Sequence, residues 1–127
     1  MQVIIHENEN GGVSVTVPTG ELPINEVLTK DCPAGALIID DSKLPKDNEF
    51  FNAWELIDGK VEVNFTKAQA VKLAAVNAVI LAEAQKRQLN TLAGIDNEIA
   101  DADFLADAKA KRDAIAAATT IEELKAI

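Results

Sequence analysis

Hydrophobic positions along this chain follow two rhythms, and the change falls at Thr66. Before it, the apolar runs are short and punctuated by Gly, Pro and Asp. Val3-Ile4-Ile5 is followed by Asn8-Glu9-Asn10-Gly11-Gly12 and then by Val13-Ser14-Val15-Thr16-Val17. Asn-Gly and Gly-Gly supply the positive φ angles of a tight reversal, and strict alternation of β-branched residues marks a half-buried strand. Residues 1–17 therefore read as a β-hairpin ended by Pro18. Pro23 to Leu28 reads as a short helix, with Pro in its first turn and Ile24, Val27 and Leu28 on one face. Pro33-Ala34-Gly35 breaks it, and Ala36-Leu37-Ile38-Ile39 reads as a buried strand. Phe50 to Leu56, a strand on which Trp54 alternates with Phe50 and Leu56, and Lys60 to Phe65 flank Asp58-Gly59, a second hairpin signal. The core expected here contains Phe50, Trp54, Phe65, Val15 and Ile38.

From Thr66 onward the period lengthens to three or four. Thr66-Lys67-Ala68-Gln69 has the form of a capping box, with Thr66 as N-cap. Ala, the best helix former, is abundant, and no Pro follows. Leu73, Val76, Ile80, Ala84, Gln88, Leu92, Ile95, Ile99 and Ala102 trace one stripe on a long helix. Gly94 and Asp101-Ala102-Asp103 are the places to break it. Phe104 to Ala118 then reads as a further helix, with Asp early and Lys109, Lys111 and Arg112 later, as the helix dipole favours. Thr120-Ile121-Glu122-Glu123 is a second capping box before a last short helix. Residues 66–127 admit a helical hairpin, the preferred reading, or a single helix roughly 90 Å long at about 1.5 Å per residue. The fold class expected is α+β: a small antiparallel β module of two hairpins and a short helix over residues 1–65, then a long helical arm or helical hairpin over residues 66–127.

Composition narrows the function. The chain has 127 residues, 48% of them hydrophobic and only 4% aromatic, so Ala, Val, Ile and Leu must supply most of the core. The net charge of -9 is uneven: residues 1–65 carry 12 acidic and 4 basic side chains, residues 66–127 carry 9 and 8. An acidic surface repels nucleic acid and anionic membrane, and neither is expected as a partner. The N-terminal apolar run is too short for a signal peptide, no apolar stretch of membrane-spanning length is free of charge, and a cytoplasmic location is expected.

The catalytic inventory is poor. Cys32 is the one cysteine and His6 the one histidine. Cys32 reads as a small buried hydrophobe and His6 as a strand-end residue. Asn10-Gly11-Gly12 is not followed by a helix and is no phosphate loop. Asp101, Asp103 and Asp107 fail as a calcium loop, because Ala106 and Arg112 stand where Gly and Glu are needed. Asp40, Asp41, Asp47 and Glu49 read as a solvated loop. Asn64-Phe65-Thr66 matches the glycosylation pattern without a secretory context. No catalytic residue, metal site or cofactor is expected.

Four blocks in order carry a resemblance: Asn10-Gly11-Gly12-Val13-Ser14-Val15-Thr16-Val17-Pro18, Lys30-Asp31-Cys32-Pro33-Ala34-Gly35, Leu44-Pro45-Lys46-Asp47 and Phe50-Phe51-Asn52-Ala53-Trp54. In this spacing they resemble the amino-terminal part of small proteins encoded in phage tail gene clusters, whose usual continuation is a helical tail rich in Ala, Lys and Asp. Residues 66–127 look like that tail. Cys32 stands where an aliphatic residue is usual. The resemblance implies a tail fibre assembly or tail assembly chaperone, with no active residue to carry over. Its partner would be another phage protein, a tail fibre or tail tip component, and its place the host cytoplasm during assembly. The alternative is a structural subunit retained in the virion tail. In either case the stripe on residues 66–127 needs a cover, by folding back, by self-association or by a partner helix. Ile80, Leu92, Ile95 and Ile99, at three- and four-residue steps, are the partner-binding residues expected on it.

Overall fold

The computed structural model describes all residues, Met1–Ile127, and has an α+β fold of two small antiparallel sheets with a long helix and further helices. The chain divides into two compact units, Met1–Asn64 and Phe65–Ile127.

In the first unit, β1 (Gln2–Glu7) pairs antiparallel with β2 (Val13–Thr16), with Ile5 opposite Val15. The reversal is held by Asn8. Its Oδ1 accepts from the backbone N–H of Asn10 at 3.0 Å and of Gly12 at 2.9 Å, while Gly11 takes φ 77°. The short helix α1 (Ile24–Asp31) follows, with Pro23 at its N-cap and Cys32 at its C-cap. Cys32 is half-buried rather than buried, because it sits where the chain leaves the helix in extended conformation. Strand β3 (Leu37–Asp40) then pairs with the other edge of β1, Ile4 opposite Ile38. The sheet order is β2-β1-β3, which makes the amino-terminal strand the central one.

That position explains why Val3-Ile4-Ile5 is apolar without alternation. A central strand buries both faces, and Val3, Ile4 and Ile5 are all fully buried. Ile38 lies on an edge strand and is only half-buried, as is Val15. The second hairpin is β4 (Trp54–Ile57) with β5 (Lys60–Val63), joined by Asp58 and Gly59 at φ 51° and 77°, the pair of positive angles that a type I′ turn requires. The segment Phe51–Ala53 is a 3₁₀ turn, so β4 begins only at Trp54. Phe50 is buried, but from the residue before that turn, and it does not share a strand with Trp54.

Trp54 closes the core of this unit. It packs with Ile5 and Val13, and Val15, Ile39, Leu44, Leu56, Val61 and Val63 surround them. Phe51 lies against its ring at 4.8 Å, tilted by 60°. Phe65, expected in the same core, instead opens the second unit.

The second unit is a helical hairpin with a short closing helix. Helix α2 (Phe65–Leu92) packs beside α3 (Asp101–Ala117) and α4 (Ile121–Lys125). It starts at Phe65, so Thr66 falls inside the first turn and is not its N-cap. The other half of the expected box, Gln69, donates from Nε2 to the carbonyl of Ile115 on α3 at 3.0 Å. At α4 the hydroxyl half of the box forms, and the glutamate returns to Thr119 rather than to the cap residue itself. Thr120 Oγ accepts from the Glu123 N–H at 3.2 Å, and the Glu123 carboxylate accepts from Thr119 N–H and Oγ.

Trp54 is 2% exposed. Trp54→Ala is expected to cost ~3–5 kcal/mol, the range for deleting a buried aromatic side chain. Denaturant titration measures it, and a loss under ~1 kcal/mol would mean that the surrounding apolar shell holds without the indole.

Candidate functional site

The apolar positions of α2 do not form one stripe. The buried and half-buried line on this helix runs through Ala68, Lys72, Val76, Ile80, Glu83, Arg87 and Asn90. It shares Val76 and Ile80 with the stripe read from the sequence and then departs from it. Leu73, Ala84, Gln88 and Leu92 are exposed, while the long polar side chains of Glu83, Arg87 and Asn90 face inward.

Arg87 explains the departure. It is 6% exposed and every nitrogen of its guanidinium has a partner. Nε donates to Asp101 Oδ1 at 3.2 Å, Nη2 donates to the Ile99 carbonyl, and Nη1 stands 3.7 Å from Glu83 Oε1. The planar group lies 4.8 Å from the centre of the Phe104 ring, within cation–π range. One side chain thus ties α2 to the connection and to the first turn of α3. Asn90 adds a bond from Nδ2 to Asn97 Oδ1 at 3.0 Å.

The connection itself begins with a helix stop. Gly94 takes φ 72°, its N–H bonds to the Thr91 carbonyl, and the Ile95 N–H bonds to the Asn90 carbonyl at 2.8 Å. This is the Schellman pattern, which glycine favours because it has no Cβ to clash in the left-handed region. Because the helix stops there, Ile95 and Ile99 lie off the helix, and they do not continue a stripe through Leu92.

The four residues expected to bind a partner therefore separate. Ile80 is half-buried in the line between the helices. Leu92 at the end of α2 and Ile95 and Ile99 on the connection, at the tip of the hairpin, have exposures of 79%, 58% and 57%, and Leu105 on the first turns of α3 is 63% exposed. The backbone of this tip is drawn inward by Arg87 and Asn90, while its large apolar side chains stay in solvent. A second exposed set, Val79, Leu81 and Leu89, lies along α2 away from the tip. Neither Arg87 nor the second set stands out in the periodicity. The available sign was an excess of apolar positions over what a single helical face can hold.

Elsewhere several titratable groups are engaged locally. Asp40 Oδ1 accepts from the Ser42 N–H at 3.0 Å, and this bond, aided by the nearby Met1 ammonium, lowers its pKa to about 2. The Met1 ammonium is raised in turn, first by its hydrogen bond to Asp41. Lys109 is raised by Asp113, one turn along α3, at 2.5 Å. Asp47 accepts from the Glu49 N–H. No group of three or more His, Cys, Asp or Glu side chains is placed to hold a metal ion. Two grooves of roughly 530 and 540 Å³ mark the first unit, one along Asp58–Glu62 and one beside Phe51 and Trp54, and neither joins a nucleophile to a base. Helix α2 is long and apolar enough to cross a membrane by length and composition alone, and little of that apolar window is buried within the chain.

Comparison with protein families, with curated proteins and with solved structures gives no match for this chain.

Two predictions follow from these contacts. Arg87→Met keeps the aliphatic stem but leaves the Ile99 carbonyl and Asp101 without their donor. It is expected to lower stability by ~1–3 kcal/mol and to raise amide exchange over residues 95–101 first. The carboxyl of Asp40 is held below its usual 3.8, so its favourable contact is complete above that value and is lost as the pH falls through about 2. Carboxyl-carbon NMR should show a midpoint for Asp40 near 2, and a midpoint at the ordinary value would mean that the Ser42 bond is not formed in solution.

Proposed function

We propose that this chain is a non-enzymatic protein of a phage tail gene cluster, a tail fibre assembly chaperone that holds another phage protein through its helical unit. The observation that carries the reading is the group of large apolar side chains at the hairpin tip, Leu92, Ile95, Ile99 and Leu105, all more than half exposed. Exposed large hydrophobes standing singly need no explanation, but several along a short chain reversal and its flanking helix ends mark a candidate binding surface. The inward anchoring by Arg87 supports it further, since a loop already held in one shape loses less entropy on binding. The acidic front unit, with its own aromatic core, fits the role of a soluble handle. The resemblance of its four motif blocks to phage tail-cluster proteins supplies the class of partner.

Ile95→Asp combined with Ile99→Asp places two charges at the tip without touching a buried site. The double variant should fold and melt like the parent chain but lose capture of the tail fibre or tail tip protein co-expressed from the same gene cluster. Full capture by a folded double variant would refute the tip as the binding surface. A chaperone would also be absent or substoichiometric in purified particles, whereas a stoichiometric copy number there would favour a retained structural subunit.

A further inference from the structure

The nearly neutral charge of the helical unit hides a separation. Residues 93–103, the connection and the first turn of α3, carry four carboxylates, Asp96, Glu98, Asp101 and Asp103, and no basic side chain. The rest of residues 66–127 carries five acidic and eight basic side chains. Three of those five are matched along the helices: Glu83 stands by Arg87, Asp107 by Lys111 and Asp113 by Lys109. On the reversal only Asp101 is matched, by Arg87. Asp96, Glu98 and Asp103 are exposed and pair with no cation.

Two of these free carboxylates share a site with the exposed isoleucines. Ile95, Asp96, Glu98 and Ile99 line one concavity of roughly 210 Å³ together with Lys86, Arg87 and Asn90. Arg87 is spent on Asp101, Glu83 and the Ile99 carbonyl, so two free carboxylates there stand against one free cation, Lys86. An apolar partner without charge would cover Asp96 and Glu98 and leave them desolvated and unpaired, which is costly. An acidic partner would add repulsion. A partner that sets lysine or arginine against them avoids both, because its aliphatic stems cover Ile95 and Ile99 while its cationic heads reach the carboxylates.

We infer that this concavity seats a basic amphipathic helix of the partner protein, its apolar side chains on Ile95 and Ile99 and its cations at Asp96 and Glu98. The inference rests on the reading of the hairpin tip as the partner-binding surface and adds the chemistry of what binds. A helix is favoured over an extended segment because this unit has no strand whose edge could pair with a partner backbone, so the partner must satisfy its own N–H and C=O groups. An anionic lipid surface is disfavoured, since its headgroups would face the same carboxylates.

The test titrates a labelled amphipathic peptide of Leu and Lys with the full chain and follows fluorescence anisotropy. Binding should saturate and should weaken as salt rises from about 0.1 to 1 M, where the screening length falls from about 10 to 3 Å. The same peptide with Glu for every Lys should not bind. The acidic first unit also attracts a cationic peptide, so variants at the tip decide where it sits. Asp96→Asn with Glu98→Gln leaves the first unit untouched and should weaken binding roughly tenfold, within the range for losing two exposed ion pairs. Asp96→Lys with Glu98→Lys should turn the preference toward the Glu peptide. Both variants should keep the far-UV spectrum and melting temperature of the parent. Equal binding of the two peptides, an affinity of the neutral variant within about twofold of the parent, or co-sedimentation of the chain with phosphatidylglycerol vesicles would overturn the inference. If a tail fibre or tail tip protein is captured through Ile95 and Ile99 but capture ignores salt and both carboxylate variants, this inference fails and the chaperone reading stands. If peptide binding follows the carboxylates and no tail protein is captured, the chaperone reading fails alone.

Discussion

Two helices packed side by side can each bury only one face, and the second unit of this protein is built of little else. Helix α2 has 28 residues, of which Ala68 and Arg87 are fully buried. The short α4 covers part of the remainder through Leu124, and α3 contributes Ala108 and Ile115. With Ala as the commonest core-facing residue, the contact between the helices is close but small in area, and dispersion and apolar burial are limited accordingly. A buried arginine at the far end of such a hairpin therefore has a definite task. Where Leu against Leu would give affinity without direction, the Arg87 guanidinium fixes the chain reversal through hydrogen bonds to Ile99 and Asp101. Its charge is offset by Asp101 and Glu83 at a partly wet site, so the desolvation cost stays below that of a fully enclosed ion.

The first unit answers the same problem by a different geometry. Its central strand buries both faces, so Val3, Ile4 and Ile5 count twice what an edge strand would bury, and one tryptophan from β4 completes the cluster. Few aromatics are needed because they are concentrated here. The unit can accordingly afford a strongly acidic surface, while the helical unit keeps nearly neutral charge and exposed apolar side chains. Charge and exposed apolar surface are thereby assigned to different parts of one chain.

Local chemistry made most of the fold legible in the sequence. Asp58-Gly59 marks a turn because few pairs tolerate two positive φ angles, and Gly94 marks a helix end for the same reason. Thr120 with Glu123 marks a helix start because the hydroxyl satisfies a free N–H. What stayed hidden depends on partners distant in the chain. Val3-Ile4-Ile5 gives no sign of being central until β3 returns to its second edge. Gln69 looks like half of a capping box because its bond to Ile115 lies 46 residues away. The line of α2 buried against its neighbours is hidden in the sequence for a related reason. A periodicity scan weighs Arg87 and Glu83 as polar and turns them outward, although the stem of an arginine is as good a core filler as leucine once its head is paired. The surface candidates divided in the same way. Leu92, Ile95 and Ile99 are visible as exposed hydrophobes, but their grouping depends on the Gly94 stop, which takes Ile95 and Ile99 off the helix.

An alanine-rich helix that is apolar on two sides would be expected to choose its neighbours poorly, since Ala packs against almost anything. On α2 the choice is narrowed by the few residues that are not Ala. On the inner side Arg87 admits only a neighbour that brings a carbonyl and a carboxylate to the same place, and the start of α3 does so with Ile99 and Asp101. On the outer side no neighbour narrows the choice, and Val79, Leu81 and Leu89 stay exposed. At the tip no such restriction applies: Ile95 and Ile99 are aliphatic, exposed and set in a loop. The contacts of one small helical unit thus differ in how strictly they select, from the directional arginine contact at the chain reversal to an apolar tip whose side chains have no neighbour to orient them.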